Sequence, residues 1–134
     1  MNTRIIRGVV VVATSFLAIT AVVGGIALFL GINTPSVAIL EGSPFPTFEL
    51  PGLALLFVVG GSAWFASVLT LRRHHYATRA CLLAGGIIIC FEVVEILVIG
   101  SPPGVARNLQ IFYILLGLTI ALLALVQYRG DRRK

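Results

Sequence analysis

The chain has 134 residues, 58% of them hydrophobic and 11% charged, with a mean hydropathy of +1.05 and a formal net charge of +5. Soluble domains carry about 25% charged residues, so a water-soluble fold is excluded, and apolar runs of bilayer-spanning size leave no room for a separate soluble domain. The positive charge flanks those runs instead of forming a face, which marks membrane topology and argues against nucleic-acid binding.

The first run, residues 5–30, holds a single charge, Arg7, near its start. A basic start before an apolar core also suits a signal peptide. This core exceeds the usual length of about 7–15 residues and no Ala-x-Ala site closes it, so an uncleaved transmembrane helix is expected. Thr14, Ala18, Ala21 and Gly25 recur at spacings that form a small-residue stripe, where a second helix can approach.

Residues 31–50 form the outer loop, which carries Pro35, Pro44 and Pro46, with Pro51 just beyond, and Glu41 and Glu49 but no Lys or Arg. Alternating prolines force extended neighbours and remove backbone donors. Phe45 and Phe48 therefore have no helix to join, and are expected to fold back over the bundle mouth or lie in the lipid interface. Together with Glu41 and Glu49 they make the loop either an ordered connector or a docking surface.

The second run, residues 52–71, begins beside Pro51, near the first-turn position that proline favours. Gly60, Ala63 and Ser67 form its small stripe, and Trp64, near mid-span, is expected to find an indole N–H partner inside the bundle. The connection Arg72-Arg73-His74-His75-Tyr76 reads as a basic turn at the headgroups. Adjacent histidines on a helix point apart, which weakens a metal reading.

The third run, residues 79–99, contains Glu92 and Glu95 in otherwise apolar sequence. Each acid near a bilayer centre costs roughly 2.5–3.5 kcal/mol on insertion scales, so the pair needs a function or a packing partner. Cys81, Gly85, Ile88, Glu92, Glu95 and Ile99 share one helical stripe, which turns the acids into the bundle; Cys90 and Val94 face lipid. Cys81 and Cys90 are about 13.5 Å apart along a helix, beyond disulfide reach.

Gly100-Ser101-Pro102-Pro103-Gly104 breaks the chain, and the fourth run, residues 108–128, leads into a basic tail, residues 129–134. Gln110, Tyr113 and Gly117 share a face. Matching depths across the tight hairpin sets Glu95 level with Gln110 and Glu92 level with Tyr113, with Arg107 at the mouth able to snorkel to Glu95. Glu92, Glu95, Tyr113, Gln110 and Arg107 thus define an outward-opening polar pocket, a candidate proton or cation site.

Nine basic residues (Arg4, Arg7, Arg72, Arg73, Arg79, Arg129, Arg132, Arg133, Lys134) lie on one side against Arg107 on the other. This bias puts both termini in the cytoplasm. The expected fold is all-α: a polytopic, antiparallel bundle of four transmembrane helices in the cell membrane. No His-rich cluster, carboxylate–His pair, Ser–His–Asp set or phosphate loop is present, so no enzyme activity, cofactor or metal is expected.

On Ser43-Pro44-Phe45-Pro46, Pro51-Gly52, the glycine-rich second run and the acid in the third, the chain resembles small uncharacterised four-helix bacterial integral membrane proteins, which implies no particular activity. It is also similar in size and helix count to small multidrug transporters. They keep an essential acid in the first helix, where this chain has none, and four-helix thiol-redox quinone reductases need a Cys pair that is missing here.

The expected function is that of an accessory or interaction subunit. Its partners are the lipid bilayer and other membrane subunits, or a second copy met through Gly/Ala/Ser faces. The alternative is a small transporter or a proton- or cation-linked carrier that uses Glu92, with Glu95 tuning it.

Overall fold

A computed structural model describes residues 2–32, 34 and 36–132; the readings on Pro35, Arg133 and Lys134 lie outside the described residues. Four helices are long and apolar enough to cross a membrane: α1 (Thr3–Leu30), α2 (Glu49–Leu71), α3 (Ala77–Ile99) and α4 (Val105–Arg132). Among the described residues there is no strand.

The ends of these helices follow from local chemistry. The Asn2 side chain caps α1 by accepting from the Arg4 N–H at 2.9 Å. Gly31, at φ 72°, ends that helix in the left-handed conformation, and the Ile32 N–H returns to the Ala27 carbonyl at 2.9 Å. The loop then makes one 3₁₀ turn, Val37–Leu40, and Ser43 bonds the Leu40 carbonyl through both its N–H and its hydroxyl.

Pro51 sits in the first turn of α2, where its missing N–H leaves no intrahelical bond unmade. One wide π-helical stretch, Ala54–Val59, follows it. Gly100 (φ 75°) and Gly104 (φ 107°) bracket the Pro-Pro turn between α3 and α4. α4 starts three residues before the expected boundary and continues through Arg129 to Arg132, so this part of the expected tail is helix.

α1 packs on α2, α2 on α3, α3 on α4, and α4 back on α1. Small residues make these contacts close. A Cβ on Gly25 would lie 2.7 Å from the Gly52 carbonyl oxygen, and one on Gly85 would lie 2.6 Å from that of Gly117. Thr14, Ala18, Ala21, Gly25, Gly60, Ala63 and Ser67 are all buried, as their stripes predicted.

Leu17, Ile88 and Ile120 fill the core between these contacts, while many other large apolar side chains point outward: Val12, Phe57, Leu97 and Leu122, one from each helix, are 60–79% exposed. Small residues at the helix contacts and many bulky apolar ones on the outside suit helices packed in lipid, where burial between helices gains nothing over lipid and close backbone approach decides.

Polar side chains tie the ring at three further places. Ser15 and Ser67 share a hydrogen bond of 2.7 Å between α1 and α2, and Thr70 and Cys81 meet at 3.3 Å between α2 and α3. Arg7 on α1 pairs with Asp131 on α4 at 3.3 Å. Two expectations fail. Trp64 is 62% exposed, because α2 turns Gly60, Ala63 and Ser67 inward and so turns position 64 outward. His74 and His75 do not diverge: they lie in a turn with Arg73 at φ 53°, and their rings stack at 4.3 Å.

Candidate functional site

The third helix turns Cys81, Gly85, Ile88 and Glu92 inward, leaves Glu95 half-buried, and turns Cys90 and Val94 outward. Glu92 is 5% exposed and its carboxyl lies against that of Glu95, one turn along the same face. The α3–α4 contact at Gly85 and Gly117 sets the register, so Glu95 comes level with Gln110.

Gln110 is buried, and its Nε2 donates to Glu95 Oε2 at 3.4 Å and to the Gly100 carbonyl at 3.1 Å. The second acceptor is the carbonyl of the residue that ends α3. One amide therefore clamps the helix terminus and the acid together. Its Oε1 is buried with no hydrogen-bond partner among the described residues.

Two members of the expected set do not join this cluster. Arg107 donates to the Ser101 carbonyl at 3.1 and 2.7 Å, a near neighbour within the hairpin turn that needs no long reach, and makes no contact with Glu95. Tyr113 lies at the level of Glu92 but makes no hydrogen bond to it. Its ring meets Phe112 edge-on at 5.2 Å.

The space beside Glu95 is also not the polar pocket expected from sequence. It is an apolar recess of about 620 Å³ between α2 and α3, and among the residues that line it Glu95 carries the single carboxyl and none is basic. Phe45 and Phe48 line its end nearest the α1–α2 loop, having folded back over the helices, and Phe48 is buried. Glu41 and Glu49 are exposed beside them. The loop set thus divides into two aromatics that line a cavity and two exposed acids.

Sequence reasoning missed this recess because its walls are ordinary apolar residues. The one hint was Gly86, next to the packed Gly85: its own side meets nothing within 4 Å and lines the recess. Among the described residues no three His, Cys, Asp or Glu side chains gather as a metal site requires. No protein-family model, curated protein or solved structure matches the chain.

Proposed function

We propose that the chain is a multi-pass protein of the cytoplasmic membrane, an antiparallel four-helix bundle with both termini in the cytoplasm. We propose further that it serves as an accessory subunit, docking on a larger membrane protein through the outward face of α2. Trp64 carries this reading. Its indole N–H makes no hydrogen bond among the described residues, and its ring is 62% exposed about 10 Å from the end of α2 at Leu71, a depth inside the hydrocarbon core.

A donor left bare in hydrocarbon is costly, so an acceptor on a partner helix is the natural complement. Gly61 on the same face has nothing within 4 Å and is flanked by the exposed Phe57 and Phe65, which leaves room for a helix to approach closely.

Affinity capture of a tagged chain from native membranes in mild detergent tests this. A stoichiometric membrane-protein partner is expected, and Trp64→Leu and Gly61→Leu should release it. Recovery of free monomer alone would refute the reading, and a homodimer would replace it with self-association. Orientation is read separately with an impermeant thiol reagent on intact cells. Glu41→Cys should react from outside, and His75→Cys only after permeabilisation.

The carrier reading draws its support from the contact between Glu92 and Glu95. Against it, the tight Gly85–Gly117 seam lies just below them, where a polar path across the membrane would have to run. If Glu92→Gln abolished proton- or cation-driven uptake in vesicles at normal expression, the carrier reading would displace the accessory one.

A further inference from the structure

We propose that the recess between α2 and α3 binds a single-chain amphiphile with a positively charged head, its alkyl chain lying along α3 and its head beside Glu95. This site is separate from the Trp64 face and does not depend on the accessory-subunit reading.

Shape is the first argument. Along α3 the recess runs from Ile99 to Leu82, about 25 Å at the helical rise, while its volume is about 620 Å³. It is therefore long and narrow, suited to one extended chain. The wide π-helical turn of α2 supplies Ala54, Val58 and Val59 to the opposite wall. The wall is exposed on the lipid side at Val58, Leu83 and Val94, so a chain can enter from the bilayer without crossing water.

Charge is the second argument, and it selects the head. Glu95 is the single carboxyl in the lining, which holds no basic residue, and it stands near the outer end, about 6 Å from the end of α3 at Ile99. Arg107 is held by the Ser101 carbonyl and supplies no counter-charge to it. The loop above adds Glu41 and Glu49, next in sequence to the lining residues Leu40, Phe48 and Leu50, and no basic residue. A cationic head is attracted here, and the faces of Phe45 and Phe48 suit it further. A phosphate-bearing head would meet the Glu95 carboxyl beneath a loop that carries acids and no basic residue, which argues against an ordinary phospholipid.

The test uses the full chain in phosphatidylcholine nanodiscs, with empty discs as background. The probe is radiolabelled dodecyltrimethylammonium, with dodecyl maltoside and dodecyl sulfate as neutral and anionic competitors. Saturable binding of one cation per chain is expected, with both competitors at least tenfold weaker. Glu95→Gln should weaken cation binding at least fivefold and erase the preference over dodecyl maltoside.

Gly86→Phe fills the recess from a position that touches no other part of the fold and should abolish binding of both cation and neutral amphiphile. Val94→Trp, at an exposed lining position, should do the same and serves if Gly86→Phe does not fold. The proposal is overturned by any of four results: no saturable binding, equal displacement by dodecyl sulfate, unchanged binding in both filled variants, or displacement by phosphatidylethanolamine added to the discs, which would make the occupant a bilayer lipid.

Discussion

Replacing Gly85 by alanine adds one methyl group at the closest point of the α3–α4 seam. The new Cβ would stand 2.6 Å from the Gly117 carbonyl oxygen, against 3.4 Å or more in ordinary contact, so the helices must part locally by about 0.8 Å. A gap of that size forfeits roughly a quarter to a half of each dispersion contact along the seam. Overpacking of this kind costs typically 1–3 kcal/mol.

The neighbouring Gly86→Ala is the control, since its Cβ meets nothing within 4 Å and the change should stay within about 0.5 kcal/mol. Reversible unfolding in mixed micelles of rising dodecyl sulfate fraction, followed by circular dichroism, measures both. The argument that close backbone approach holds this bundle would be refuted if Gly85→Ala lost less than about 0.5 kcal/mol, or if Gly86→Ala lost as much.

Other substitutions probe the polar ties. In a double-mutant cycle, Ser15→Ala and Ser67→Ala should couple by about 0.6 kcal/mol in the same assay, the average for such bonds between membrane helices; independent effects would show the 2.7 Å contact to be idle. Gln110→Leu removes the shared donor of Glu95 and Gly100 and should cost about 1–3 kcal/mol, with faster hydrogen exchange at the α3–α4 turn as its local signature. Asp131→Asn should cost at most about 1 kcal/mol, since Asp131 is 42% exposed, and high salt should shrink the effect; a larger, salt-independent loss would mean the pair is shielded from solvent. Trp64→Phe should leave the stability of the isolated chain within about 0.5 kcal/mol.

The four spans were legible in the sequence because a bilayer demands long apolar runs and proline- or glycine-rich breaks between them, and both signals are local. The inward stripes were legible for the same reason: a 3.6-residue period and a preference for small residues at helix contacts predict that Thr14, Ala18, Gly60, Ala63, Gly85 and Gly117 meet other helices. The level of Glu95 with Gln110 also followed from chain geometry alone, since a short hairpin fixes the register of its two arms.

Tertiary structure decided the rest. Which way Trp64 faces depends on which side of α2 packs, and its mid-span depth says nothing about that. Arg107 was free to reach Glu95 by length, but a carbonyl in its own turn was nearer. Most of all, the character of the recess depended on which faces of α2 and α3 border it and on where Phe45 and Phe48 come to rest. Sequence periodicity assigns residues to the faces of one helix. It carries no information about the gap left between two helices, and so Glu95 lines an apolar slot that no local pattern records.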